Sequence, residues 1–95
     1  MQKELSKRTE AAMCALYQNR EHEAIQAVAE LLPIYQEMIR KMLMEWGDNR
    51  AMFFFEELKR LVENYQAQDM LGMADCIYQF ALPMIKIYGE KEMSE

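Results

Sequence analysis

Apolar residues between positions 25 and 46 recur at alternating intervals of three and four, and this spacing constrains the fold more than any other feature of the chain. Such a heptad seam is typical of helices that pack side by side at small crossing angles. A second apolar row follows the same stretch, so this helix is expected to contact two neighbours. The seam consists of Ile25, Val28, Leu32, Tyr35, Ile39, Met42 and Trp46.

Three further helices are predicted by the same reasoning, which makes the chain an all-α, mostly antiparallel four-helix bundle with short loops. Gly47 and Gly89 are expected to end two of the helices, and Asp48 or Asn49 and Asp69 to begin two others. Residues 1–95 then form one domain whose tail, 89–95, is frayed. The expected helices cover residues 2–18, 20–46, 49–67 and 69–88.

Each of these three helices carries one apolar stripe that is expected to face the core. Pro33 and Pro83 lie off the stripes, so we interpret both as kinks on the solvent side of a helix. The predicted stripes are Leu5, Ala12, Met13 and Leu16, then Ala51, Phe55, Leu58, Val62 and Tyr65, then Met70, Ala74, Ile77, Ala81, Met84 and Tyr88.

The two halves of the chain resemble each other. Tyr17-Gln18 precedes a helix that carries Leu32-Pro33, and Tyr65-Gln66 precedes a helix that carries Leu82-Pro83. The two spacings differ by two residues. A duplicated helical hairpin would produce this likeness, and so would chance.

Charge and composition exclude several classes of protein. The net charge is −5 and the basic residues are scattered, which disfavours binding to nucleic acid or to an anionic membrane. No run of ~18 apolar residues is present to span a membrane, and the polar N-terminus does not resemble a signal peptide. We therefore expect a cytoplasmic protein in which Cys14 and Cys76 are buried thiols rather than a disulfide.

No arrangement typical of catalysis is found, so the chain is not expected to be an enzyme, to hold a metal or cofactor, or to act on a small molecule. His22 is the only histidine, and paired Glu-x-x-His motifs for a di-metal site are absent. Histidine phosphotransfer through His22 is an alternative, although Glu21 and Glu23 would repel a phosphoryl group. Cys14 and His22 lack a third group to orient them, and Asp69 is explained as a cap.

Methionine and phenylalanine near the second loop suggest where another protein would bind. Met44 shares the outward stripe of its helix, and Phe53 points away from the predicted seam. Met44, Met52 and Phe53, with Trp46 behind them, are predicted to form an apolar patch for self-association or for a partner helix, unless helix 1 or a bend covers it. Phe53→Asp is then expected to weaken association and leave the unfolding midpoint nearly unchanged.

Residues 16–25, Leu-Tyr-Gln-Asn-Arg-Glu-His-Glu-Ala-Ile, resemble the turn that precedes the long helix in flagellin export chaperones. The stretch from Asp69 to Pro83 is similar to small uncharacterised bacterial helical proteins. The first resemblance implies a small cytoplasmic bundle that holds an unfolded partner. The expected function is thus a non-catalytic protein-interaction or chaperone-like module, with His22 phosphotransfer and a structural homodimer as the alternatives.

Overall fold

Four helices make up the fold in a computed structural model that describes residues 2–93. Within that range no strand is present, and the predicted all-α four-helix bundle is confirmed. The fourth helix, α4, covers residues 70–93 without a break and consists of Met70–Cys76, a π-helical turn at Ile77–Ala81, and Leu82–Met93. The other three are α1 (Gln2–Tyr17), α2 (Glu21–Met44) and α3 (Arg50–Gln66).

The helices stand at the corners of a square in chain order. α1 lies against α2 and α4, and α3 lies against the same two helices from the other side. Because the connections at 18–20, 45–49 and 67–69 are short, successive helices run antiparallel. Tyr35 of α2 reaches Phe80 of α4 across the centre, with ring centroids 5.8 Å apart in an edge-to-face contact.

The ends of two helices differ from the prediction. α2 ends at Met44, so Trp46 lies in the connection, and Gly47 follows with φ of +59°. The expectation that Gly89 ends the last helix is wrong, because α4 continues to Met93. An ion pair of 3.8 Å joins Glu92 in the extra turn to Lys41 of α2. Residues 94 and 95 of the expected tail lie outside the described range.

The predicted caps are found at both sites, with different geometry. Asp69 accepts a hydrogen bond from the backbone N–H of Gly72 at 3.0 Å, as a helix cap requires. At the start of α3 the Asp48 carboxylate accepts the backbone N–H of Arg50 at 3.0 Å, while Asn49 makes no capping hydrogen bond through its side chain. The Arg50 guanidinium also donates to Asp48, which lowers the pKa of that carboxyl group.

The core confirms the stripes of α1 and α4 in outline and corrects that of α3. Phe54 and Leu61 are buried, whereas Phe55 is 39% exposed and Val62 is only half-buried. Phe54 and Phe55 are neighbours in the sequence, and so are Leu61 and Val62. Two orientations of α3 would therefore bury similar apolar area, and its packing between α2 and α4 selects the one that buries Phe54 and Leu61. The largest fully buried side chains are Tyr35, Phe80, Leu16, Leu31, Ile39, Met42, Leu61, Met73, Ile77, Met84, Ile85 and Val28.

The cysteines are both free, and they occupy different environments. Cys76 is buried as predicted, and the Asn64 amide donates a 3.4 Å hydrogen bond to its sulfur. Burial, followed by the nearby Glu57 carboxylate, raises the pKa of the Cys76 thiol. Cys14 is exposed on α1, so the expectation of a buried thiol there is wrong.

The two helical hairpins have the same turn. Asn19 and Gln68 both adopt left-handed backbone, with φ of 58° and 56°. In each turn the following residue donates its N–H to a carbonyl five residues back, Arg20 to Ala15 at 3.0 Å and Asp69 to Asn64 at 2.9 Å. This hydrogen bond is typical of a Schellman motif at the end of a helix. The two motifs lie 49 residues apart in the sequence, whereas the two Tyr-Gln pairs lie 48 residues apart.

The π-helical turn changes this separation by one residue. Before it, Val28 of α2 corresponds to Ile77 of α4, and both are buried. The turn inserts one residue, seen in the bond from the N–H of Leu82 to the carbonyl of Ile77. Beyond it, Leu32-Pro33 corresponds to Leu82-Pro83, with both prolines exposed. A duplicated hairpin with one residue inserted at the π-helical turn has this pattern.

Candidate functional site

Three of the four residues predicted for the interaction patch are exposed. The exposed fractions are 76% for Met44, 53% for Met52 and 55% for Phe53. Apolar side chains so accessible contribute little to the core of the monomer, since most of their surface stays in water. The structure therefore leaves apolar surface open at the end of the bundle where α2 and α3 meet.

Trp46, the fourth residue, has a different role. Its ring packs against Tyr88 of α4 at a centroid distance of 4.9 Å, and the Lys41 ammonium lies 5.3 Å from the indole. Trp46 is half-buried and closes the core between α2 and α4. It belongs to the packing of that end of the bundle rather than to an outward surface.

A groove with a volume of about 500 Å³ lies between α2 and α3, and both Met44 of α2 and Phe55 of α3 line it. The sequence analysis had assigned Phe55 to the core. The apolar floor and walls of the groove are formed by Pro33, Ile39, Leu43, Met44, Phe55 and Leu58. We call this the α2/α3 groove.

Phe53 lies on the other flank of α3. Residues two apart in a helix are rotated by about 200°, so Phe53 and Phe55 project to nearly opposite sides. The Phe53 ring makes an edge-to-face contact with Phe54, at 5.7 Å between centroids. Phe53 is not among the residues that line the α2/α3 groove. Met44 and Phe53 therefore do not form one patch. Phe55, rather than the predicted Phe53, lines the groove together with Met44.

Charged side chains along the groove are held in ion pairs. Arg40 donates to both carboxylate oxygens of Glu37, the shorter contact being 2.6 Å. This hydrogen bonding lowers the pKa of Glu37 and raises that of Arg40. Across the groove, the Lys59 ammonium lies 4.8 Å from the centre of the Phe55 ring and 3.5 Å from Glu56.

A second groove of about 540 Å³ lies on the opposite side of Pro33, between α1, α2 and the end of α4. Its apolar lining includes Leu5, Ile34 and Met38, with Tyr88 at one end. These residues are half-buried or buried, and none has the exposure of Met44. Because its apolar lining is already packed between helices, we do not assign this groove a role.

The residues considered for chemistry do not come together as a site. His22 is exposed in the first turn of α2 between Glu21 and Glu23, and the neighbouring Arg20 pairs with Glu23 at 2.9 Å. Cys14 is exposed on α1. Among residues 2–93, no three side chains of histidine, cysteine, aspartate or glutamate are grouped so as to hold a metal ion.

Comparisons with protein family models, with curated proteins and with solved structures give no match to this chain. Over the described residues, no helix is both long enough and apolar enough to cross a membrane. The α2/α3 groove and the exposed side chains around it are thus the candidate functional site, on the strength of their geometry.

Proposed function

We propose that this protein is a non-catalytic protein-interaction module whose binding surface is the α2/α3 groove with Met44, Met52 and Phe55. The observation that supports the proposal is the exposure of Met44 and Phe55, which both line one apolar groove, with Met52 exposed one turn before Phe55 on the same helix. Full burial of such a side chain is worth about 1.5–3 kcal/mol, which the monomer forgoes and a bound partner would recover. Methionine suits such a surface because its flexible side chain adapts to different partners.

A chaperone-like role is part of the same proposal. The resemblance of residues 16–25 to flagellin export chaperones motivates it, and an open apolar groove on a helical bundle suits an extended or helical client. Lining the groove, Leu58 and Ile39 are buried in the core, while Met44 is 76% exposed. A rigid floor with an adaptable rim favours binding of a partner segment over catalysis.

Site-specific crosslinking in the source cells tests the proposal. A photoreactive phenylalanine analogue placed at position 44 is expected to capture a discrete partner, which mass spectrometry identifies. The same analogue at position 78 is the matched control, because Tyr78 is also exposed, at 64%, and lies on α4 outside the groove. Capture must be lost when Phe55→Ser is added and retained with His22→Ala or Cys14→Ser.

Two results would contradict the proposal. Equal capture at positions 44 and 78 would mean that the groove has no special affinity. Loss of a phosphotransfer or thiol activity in His22→Ala or Cys14→Ser, with the fold intact, would instead establish a catalytic or signalling function. Capture of a second copy of the chain at position 44 alone would keep the groove as the binding surface and identify the homodimer as its product.

A further inference from the structure

We propose that two copies of this protein exchange their helical hairpins. The connection between α2 and α3 straightens, and the α1–α2 hairpin of each copy packs on the α3–α4 hairpin of the other. The inference does not rest on the proposed function, because the α2/α3 groove would re-form between α2 of one copy and α3 of the other. It is carried by the backbone of the connection at 45–49 and by the register of the exposed apolar side chains on either side of it.

The two hairpins are separate units joined by one segment of chain. Matching hydrogen bonds close the turns at 18–20 and 67–69, so each hairpin keeps its own turn when the other moves away. The contact between Tyr35 and Phe80 is one of those that join the hairpins across the core. Exchange restores such contacts, since each bundle of the dimer again contains one hairpin of each kind. The connection at 45–49 is the segment that must change.

Most of the change in that connection is required at Gly47. Its two outer residues already have right-handed helical backbone, with φ and ψ of −95° and −38° at Glu45 and of −63° and −21° at Asn49. Gly47, with φ of +59°, is the one residue of this described segment in the left-handed region. If it leaves that region, α2 and α3 can join into one helix from Glu21 to Gln66, about 69 Å long.

Phe53 would continue the seam of α2 on such a helix. Met42 is buried on this seam, and Trp46 is half-buried four residues later. The same alternation of three and four residues leads next to Asn49 and then to Phe53. In the closed monomer the chain reverses before Phe53, which is left 55% exposed. Straightening the connection would return this side chain to the apolar stripe of α2.

Met44 has the reciprocal relation to α3. Ala51 and Leu58 are both buried on α3 and lie seven residues apart, and Met44 precedes Ala51 by the same interval. Residues seven apart lie within about 20° of each other around a helix. Met44 would therefore extend the buried stripe of α3, although it is 76% exposed in the closed monomer. Each of the two stripes thus crosses the connection and reaches an apolar residue that the monomer leaves in water.

A second copy is the partner that this geometry requires. A chain with a straight connection cannot cover the core of its own hairpins, and two such chains complete each other about a two-fold axis. The axis passes through the two connections, so Met44 and Phe53 of one copy approach those of the other. Charge does not oppose this approach, because residues 40–56 contain three basic and three acidic residues in a chain of net charge −5.

Substitutions at position 47 test the exchange. A Cβ at Gly47 would meet no non-neighbouring atom within 4 Å, so Gly47→Ala acts through the backbone. Alanine is disfavoured in the left-handed region of the closed monomer and favoured over glycine in the continuous helix. Both effects occur twice in each dimer, so the dimer Kd from analytical ultracentrifugation should fall about a hundredfold or more. Gly47→Asn is the matched control, since asparagine enters the left-handed region readily, and its Kd should stay within about threefold of the wild type.

The distance between two labels on one chain distinguishes exchange from a side-by-side dimer. Gln26 and Gln66 are exposed near the start of α2 and at the end of α3, at the same end of the bundle. Nitroxides are attached to Gln26→Cys and Gln66→Cys in a Cys14→Ser, Cys76→Ala background, and the chain is warmed and re-cooled with excess unlabelled protein. Electron spin resonance should show the spacing of adjacent helices in the monomer, about 10 Å between axes. In the dimer the labels should lie about 60 Å apart along one helix.

The side chains at the dimer axis have their own variants. Phe53→Ser and Met44→Ser are each expected to raise the Kd of the Gly47→Ala dimer about tenfold or more, because both side chains lose apolar burial in both copies. Tyr78→Ser is the matched control and should keep the Kd, since Tyr78 is 64% exposed but lies midway along α4. Circular dichroism confirms that each variant is folded.

The inference is overturned if Gly47→Ala dimerises no more than Gly47→Asn, or if the dimer keeps the short distance of the monomer. An unchanged Kd in both Phe53→Ser and Met44→Ser would also overturn it. If Gly47→Ala does not fold, the labelled chain that keeps Gly47 is concentrated to millimolar levels, and absence of a dimer with the long distance rejects exchange. The proposed function has a separate readout, because capture through the groove depends on Phe55 and not on position 47.

Discussion

Thr9 of α1 and Tyr35 of α2 share a buried hydrogen bond of 2.6 Å between their hydroxyl groups. Both side chains are fully buried, and Thr9 is the one buried polar residue in a core that is otherwise apolar over the described chain. The bond joins residues 26 positions apart and so fixes the register of α1 on α2.

Removing one partner of this hydrogen bond is expected to lower the free energy of unfolding more than removing both partners. Tyr35→Phe leaves the Thr9 hydroxyl without its partner and should lower the free energy of unfolding by about 1–2 kcal/mol. Adding Thr9→Val removes the second polar atom and should recover part of that loss. Urea unfolding of the wild type, both single variants and the double variant measures the coupling. Additive single effects would show that the bond contributes nothing.

Alkaline pH should destabilise the protein through the same tyrosine. Burial raises the pKa of Tyr35 to about 12 from 10.0 in the unfolded chain. The folded state therefore keeps a proton that the unfolded state releases, so stability present below pH 10 is lost as pH rises to about 12. The loss due to Tyr35 is of the order of 2–3 kcal/mol. Tyr35→Phe should show a smaller decline than the wild type in unfolding measured across that range, and parallel declines would contradict the prediction.

The orientation of α3 can be tested by two neighbouring substitutions. Leu61 is fully buried and Val62 half-buried, so Leu61→Ala should cost about 2–5 kcal/mol and Val62→Ala about 1 kcal/mol. Leu58→Ala should also cost about 2–5 kcal/mol, but Leu58 lies in both possible stripes and does not distinguish them. Chemical denaturation of the three variants gives the comparison. A larger loss for Val62→Ala would favour the stripe expected from the sequence.

Sequence periodicity predicted the number of helices, their order and much of the core, because apolar stripes at helical spacing are buried where the helices of a bundle meet. It failed where apolar residues are adjacent. Phe54 and Phe55 offer two orientations of α3, and only packing against α2 and α4 places Phe54 inside. Since Phe55 was assigned to the core, the α2/α3 groove was not predicted, although Met44 on its rim was.

The π-helical turn and the last turn of α4 were also missed, for different reasons. The apolar spacing of α4 continues through the π-helical turn, so periodicity does not reveal it. The available signals were Pro83, two residues after the turn, and the difference in spacing between the two halves of the chain. The extension beyond Gly89 brings Glu92 within 3.8 Å of Lys41 on α2, and a tertiary contact of that kind has no local pattern in the sequence.

The effect of Gly72→Ala on stability should depend on whether Asp69 is present to cap α4. A Cβ at position 72 would lie 2.5 Å from Oδ2 and 2.8 Å from Cγ of Asp69. The carboxylate must then shift, which disturbs the hydrogen bond that its Oδ1 accepts from the Gly72 N–H. Gly72→Ala is therefore expected to lower the thermal midpoint, although alanine favours the helix by about 1 kcal/mol. In an Asp69→Ala background no cap remains to be displaced, and the same substitution should be more favourable by about 1 kcal/mol. Identical effects in both backgrounds would contradict this account.

The three consecutive phenylalanines should respond to aspartate in three different ways. Phe54 is 4% exposed, so Phe54→Asp buries a charge and should cost about 3–5 kcal/mol or more. Phe53 is 55% exposed and loses only its edge contact with Phe54, so Phe53→Asp should stay within about 1 kcal/mol of the wild type. Phe55→Asp should be similarly mild for stability, yet it should abolish groove-dependent capture, which Phe53→Asp leaves intact. Denaturant midpoints and crosslinking at position 44, measured on the same three proteins, separate core from binding surface. Capture lost in Phe53→Asp and kept in Phe55→Asp would move the binding surface to the other flank of α3.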